Sequence, residues 1–92
     1  MNQAEIDELR SAVERIHRCP ATYRVTERVR DQQREVYVAL FDILGHPRAM
    51  LCYAWLDPVA RGPQRRVITV LREGPIHTSL DAVRFALEDG PH

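Results

Sequence analysis

The segment 35–56, EVYVALFDILGHPRAMLCYAWL, decides the fold because it holds two strand-like runs on either side of a turn. Residues 35–43 and 48–56 are rich in β-branched and aromatic side chains, and the turn between them contains Gly45, His46 and Pro47. Both runs are apolar at successive positions, whereas a strand with one face in water alternates apolar and polar residues. The segment therefore predicts two central strands that are apolar on both faces.

One further strand is predicted on each side of this central pair. From Ala21 the chain alternates with a period of two as far as Val29, and residues 30–34 form a polar turn. Residues 65–72, RRVITVLR, are again β-branched and follow a longer loop that contains Gly62 and Pro63. The connections between successive strands are short, which favours a four-stranded antiparallel meander.

An amphipathic helix is predicted at each end of the chain. Asn2 can cap the first helix and Pro20 ends it; its apolar positions are Ile6, Leu9, Val13 and Ile16. Thr78 or Ser79 caps the second helix and Gly90 ends it; its apolar positions are Leu80, Val83 and Leu87. Residues 1–92 are thus expected to form one small α+β domain in the order α-β-β-β-β-α.

The position of the helices decides what the sheet exposes. The favoured arrangement packs both helices on the sheet face that holds Tyr53, Trp55 and Val70, since 92 residues offer little material for three layers. The alternative places one helix on each face. In the favoured arrangement the opposite face is open and presents a partner-binding surface, for which we select aromatic, Met, Leu and Arg residues of that face: Arg24, Arg28, Tyr37, Phe41, Met50 and Leu71.

Charge is balanced overall but uneven along the chain. The 13 basic residues are all Arg, and 13 acidic residues balance them, so the formal net charge is zero. This balance excludes a generally basic protein that coats nucleic acid. Residues 15–34 and 61–72 each carry a net charge of +4, so both edge strands are basic. Arginines on edge strands prevent aggregation between sheets, and they also suit the rim of a contact surface.

No catalytic or metal site is predicted. The possible ligands His17, Cys19, His46 and Cys52 match no zinc spacing, and no phosphate-binding glycine loop or serine nucleophile motif occurs. No cofactor is expected, and we lean against an enzyme.

A protein-interaction module that self-associates, or that binds another protein, is therefore the favoured function. Binding of RNA or single-stranded nucleic acid through Arg24, Arg28, Tyr37 and Phe41 is the alternative, in which aromatic rings stack on bases and guanidinium groups contact phosphates. The sequence contains neither a run of about 20 apolar residues nor a signal peptide, so no membrane association and a cytoplasmic location are expected.

Overall fold

The chain forms a four-stranded antiparallel sheet with a helix at each end, as seen in a computed structural model that describes residues 1–31, 34–57 and 66–89. In chain order the elements are α1 (Gln3–His17), β1 (Ala21–Asp31), β2 (Arg34–Ile43), β3 (Leu51–Leu56), β4 (Val67–Leu71) and α2 (Ser79–Asp89). The strands lie in the order β1-β2-β3-β4, and each pairs antiparallel with its neighbour. The predicted element order and meander are confirmed.

Both helices begin at the side chains that the sequence indicated. The Asn2 side chain accepts a hydrogen bond from the backbone N–H of Glu5 at 2.9 Å, which satisfies a donor in the first turn of α1. At the start of α2, the Thr78 hydroxyl accepts from the backbone N–H of Asp81 at 3.1 Å. Arg18 ends α1 in the left-handed region with φ of 55°, two residues before Pro20.

The two helices lie on opposite faces of the sheet, so the expectation that both pack on one face is wrong. Ile6, Leu9 and Val13 of α1 pack in one buried cluster that includes Phe41 and Cys52. The helix α2 belongs to a second cluster, made of Val29, Val36, Val38, Tyr53, Trp55, Val70, Ile76, Ala82 and Val83. The physical reason is β3: residues 51–55 are all buried, which requires cover on both sides.

The β1–β2 pairing of Val29 with Val36 follows the sequence-based expectation, whereas the β2–β3 and β3–β4 registers differ by two residues from the expected pairs Leu40–Leu51 and Ile68–Tyr53. β2 ends at Ile43 and β3 begins at Leu51 instead of the predicted Arg48, because the connection is longer than a tight turn at Gly45 and His46. Leu40 therefore pairs with Tyr53, and Ile68 pairs with Trp55. A shift of two residues leaves each side chain on its predicted face.

A bulge in β1 moves the residues that precede it, among them Tyr23, to the face opposite the one that strict alternation gives. The register shifts between Tyr23 and Val25, so Tyr23 pairs with Phe41 and Val25 with Leu40. The Tyr23 ring contacts the Phe41 ring edge to face at 6.0 Å, on the α1 side of the sheet. Sequence alternation had placed Tyr23 with Val25. The predicted loop at 59–64, the start of the fourth strand at Arg65 and the end of α2 at Gly90 lie outside the described residues.

Candidate functional site

The six residues selected from the sequence do not form one surface. Phe41 is fully buried and Leu71 is half-buried against the same cluster, because α1 covers them. Met50 is 81% exposed and lies just before β3, whereas Tyr37 is 48% exposed near the opposite end of β2. Arg24 and Arg28 are exposed on β1. A contact face that contains Phe41 would require α1 to leave the sheet.

The basic residues of β1 are held in surface ion pairs. Arg24 lies 3.5 Å from the Asp42 carboxylate, and Arg28 and Arg30 lie 3.9 and 3.2 Å from the Glu35 carboxylate. Hydrogen bonds from Arg30 and from the Tyr37 hydroxyl hold the pKa of Glu35 below its usual value. The edge at β1 thus carries both positive and negative side chains. Of the two aromatic rings expected to stack on bases, Tyr37 is exposed but Phe41 is buried.

At the other edge of the sheet, β4 has backbone groups that point outward and pair with no other strand among the described residues. The backbone N–H of Arg72 donates to the Leu51 carbonyl, and the N–H of Asp57 donates to the Arg66 carbonyl. Along an antiparallel strand the backbone N–H and C=O groups of successive residues point to opposite sides, so those of the even-numbered residues of β4 point towards β3. The N–H and C=O groups of Val67, Thr69 and Leu71 therefore point away from β3. Among the described residues, the only backbone partner on this side is the Glu73 N–H, which donates to the Leu71 carbonyl at 3.0 Å.

Apolar side chains flank this outer edge of β4. A groove of about 480 Å³ runs beside it, and its lining includes His17 of α1, Thr69 and Leu71 of β4 and Phe85 of α2. Nε2 of His17 lies 3.0 Å from the Thr69 hydroxyl, so the end of α1 is fixed over the edge. Ile16 and Phe85 are 49% and 44% exposed. We define the β4 edge as the outward side of Val67–Leu71 together with Ile16 and Phe85.

The two edges of the sheet differ in charge. β1 is 11 residues long and carries both charge signs, whereas β4 reads VITVL and contains no charged residue. Charged side chains protect a sheet edge from pairing with another strand, and β4 has none. The net charge of +4 over residues 61–72 conceals this uncharged centre. The signal was the five-residue interval between Arg66 and Arg72.

The thiols and imidazoles of the described residues do not assemble a reactive centre. Cys19 and Cys52 are both buried and free. Burial, with a smaller contribution from nearby Cys19, raises the pKa of the Cys52 thiol to about 12, so the reactive thiolate is suppressed. The rings of His17 and His46 lie 6.0 Å apart, but within the described ranges no three His, Cys, Asp or Glu side chains converge on a point that could hold a metal ion.

Comparison with known proteins gives no match: no family model fits the sequence, and no curated protein or solved structure is significantly similar to it. In the part of the chain that the structure describes, neither helix combines the length and the hydrophobicity that crossing a membrane requires. What the chain does must therefore be argued from its own surfaces, and the β4 edge is the most distinctive of them.

Proposed function

We propose that this chain is a small protein-interaction module that self-associates by pairing the β4 edges of two copies. The observation that carries the proposal is the uncharged β4 edge, whose outward backbone groups at Val67 and Thr69 lack partners among the described residues. Such an edge is a ready template for another strand. The open sheet face expected from the sequence is not needed for this mode of association.

A two-fold axis at Thr69 gives a self-complementary pairing. In an antiparallel pair of edge strands, residues whose backbone N–H and C=O groups point outward must lie opposite one another. Val67, Thr69 and Leu71 meet this condition when the two-fold axis passes through Thr69. Val67 then faces Leu71 of the second copy, and Ile68 faces its Val70. Cross-strand pairs of β-branched and aliphatic residues stabilise a sheet by about 0.2–1 kcal/mol each relative to alanine. No charged residue lies within these five positions.

The apolar flanks add to the pairing. With the axis at Thr69, α1 of each copy lies on the same side of the joined sheet, so the two α1 ends that His17 holds at Thr69 approach each other, and the neighbouring Ile16 is 49% exposed. Phe85 and Leu87 of α2, 44% and 45% exposed, are available on the opposite side. A five-residue strand with two flanks forms an interface at the small end of the known range, so we expect a dimer with a Kd of roughly 10 µM.

The test is sedimentation velocity across a dilution series, with matched proline substitutions on the two edges. Thr69→Pro removes an outward N–H that β3 does not use, so the β3–β4 ladder is retained while the intermolecular ladder is blocked. Thr26→Pro is the control, because Thr26 has an equivalent outward position on β1 and its hydroxyl is likewise hydrogen-bonded, to Tyr23. We expect Thr69→Pro to be monomeric, and the parent and Thr26→Pro to dimerise.

Two additional variants separate pairing from folding. Thr69→Val removes the hydroxyl that His17 contacts but keeps the backbone, and it should still dimerise. Thr69→Lys keeps the backbone but places a charge on the edge, and it should be monomeric and folded. A parent chain that stays monomeric at high micromolar concentration, or a Thr69→Lys variant that dimerises like the parent, would refute the proposal. Saturable binding of a single-stranded oligonucleotide by the monomeric parent would instead favour the nucleic-acid alternative.

A further inference from the structure

A second surface feature, next to the end of β4, is a cleft at one end of the sheet. The loop 44–50 and the loop 72–78 border it, and β1 contributes Arg24. The cleft has a volume of about 690 Å³, which lies within the range of small-molecule sites. Its polar lining groups are Arg24, Asp42, His46, Arg48, Arg72, Glu73 and His77, and we call these residues and the space between them the basic cleft.

The guanidinium groups of the basic cleft retain free donors. Arg24 contacts Asp42 through Nε at 3.5 Å, and Arg48 contacts Glu73 through Nε at 3.7 Å. Both contacts are long and involve one edge of the guanidinium, so the terminal nitrogens stay available. No carboxylate among the described residues lies within ion-pair distance of Arg72. Asp42 and Glu73 therefore orient Arg24 and Arg48, and the charge of Arg72 is not neutralised by either acid.

One imidazole of the basic cleft is fixed as a donor. Nδ1 of His46 accepts hydrogen bonds from the backbone N–H groups of Arg48 at 3.1 Å and Ala49 at 3.3 Å. The proton of the neutral ring therefore resides on Nε2, which is a hydrogen-bond donor. His77 adds another imidazole to the lining, and its own backbone N–H is already donated to Asp81.

The remaining lining of the basic cleft is apolar. Pro47, Met50, Leu51 and Ile76 lie between the charged groups, and Met50 is 81% exposed. Arginine recognises phosphate through paired N–H donors, and apolar walls accept the organic part of a ligand. A single inorganic anion would leave most of this volume unfilled.

We propose that the basic cleft binds a small organic molecule that carries a phosphate or diphosphate group, with Arg72, Arg48 and Arg24 holding the phosphate oxygens. Arg72 is the principal contact because no carboxylate competes for it. Arg24 and Arg48 turn their terminal nitrogens to the ligand while Asp42 and Glu73 keep hold of Nε. Met50 and Ile76 contact the organic part.

The experiment titrates pyrophosphate, as a minimal probe, into the chain at an ionic strength of about 0.15 M, with amide NMR shifts as the readout. We expect saturable shifts confined to Arg24 and the loops 44–50 and 72–78, and affinity about tenfold lower in Arg72→Gln. Arg84→Gln is the matched control, because Arg84 lies on α2 and pairs with Asp31 away from the cleft. It should bind pyrophosphate like the parent.

A second titration distinguishes the source of the phosphate. Adenosine diphosphate should bind more tightly than pyrophosphate if the apolar walls contact an organic part, and Met50→Ser should reduce that advantage. The absence of saturable shifts, or equal affinity in the parent and Arg72→Gln, would overturn the proposal. Tighter binding of a single-stranded oligonucleotide than of either small anion would assign the cleft to nucleic acid and would equally overturn it.

Discussion

Glu27 of β1 accepts a hydrogen bond from the buried Ser79 hydroxyl at the first residue of α2. Glu27 is the acidic residue that interrupts an otherwise apolar run on the α2 face of the sheet, opposite Val38. Its carboxylate lies near the positive end of the α2 dipole, where negative charge is favoured. The pair therefore joins the N-terminus of α2 to the edge strand and helps to place this helix on its own face.

Removal of this hydrogen bond should lower stability without changing the fold. We expect Ser79→Ala to reduce the free energy of unfolding by about 1 kcal/mol, the usual net value of such a bond. Urea denaturation followed by circular dichroism measures the change. In a double-mutant cycle with Glu27→Gln, the two effects should not be additive, and strict additivity would show that the two side chains do not interact.

Burial of Phe41 predicts that a substitution there unfolds the chain. Phe41 is 0% exposed and packs beneath α1, so Phe41→Ala should cost about 3–5 kcal/mol and Phe41→Glu should abolish folding. Tyr37→Ala, four residues earlier on the same face but 48% exposed, is the control and should change stability by less than about 1 kcal/mol. A folded Phe41→Glu variant would mean that α1 does not cover this face.

These residues show what the sequence could and could not predict. Successive apolar positions such as Val38, Ala39 and Leu40 indicate that both sides of a strand are buried, and the structure agrees. The hydrophobic pattern of the strands does not determine which helix covers which face of the sheet, because α1 and α2 each have one apolar side that could pack on either face. That choice depends on tertiary contacts such as the Glu27–Ser79 pair, which link residues 52 positions apart.

The candidate sites were harder to predict for a related reason. The sequence identified Arg24 and Met50 as accessible, and both line the basic cleft, but it assigned them to a flat sheet face shared with Phe41. The cleft is formed by the loops at 44–50 and 72–78, and loop positions have no periodicity that could place them side by side. The β4 edge was overlooked because net charge, averaged over a segment, conceals an uncharged centre between two arginines.

The buried thiols should be unreactive in the folded chain. The pKa of Cys52 is raised to about 12, so almost none of its thiol is ionised near neutral pH, and Cys19 is buried in the same cluster. We expect no labelling by a thiol reagent at about pH 8 until denaturant is added, when both residues should react. Rapid labelling of one thiol in the native chain would show that α1 opens readily.

Acidification should weaken the fold through His17. Burial, then the proximity of His46 and Arg48, lowers the pKa of His17 below its usual 6.5. The unfolded chain therefore takes up this proton at a higher pH than the folded chain, so stability is full above about pH 6.5 and falls as the pH drops through the folded pKa. Chemical denaturation at about pH 7.5 and 5.5 should show a smaller loss for His17→Gln than for the parent. An identical loss in both would assign the pH dependence to groups other than His17.

The last prediction concerns the register of the proposed dimer. A two-fold axis at Thr69 places Arg66 opposite Arg72 of the second copy, just beyond the five uncharged pairs. Like charges directly opposite each other destabilise a strand pair, so the parent dimer should become tighter as salt concentration rises. Arg66→Glu converts the two symmetric repulsions into two attractions of about 0.2–1 kcal/mol each, which should lower the Kd about tenfold and reverse the salt dependence.

Arg10→Glu makes the same change of charge on the exposed side of α1, where Arg10 pairs with Asp7, and it should leave the Kd nearly unchanged. Sedimentation velocity at low and high salt measures all three proteins. If the parent dimerises in a manner that Thr69→Pro abolishes but Arg66→Glu does not tighten, the edges pair in a different register; if both variants dimerise like the parent, the interface lies elsewhere.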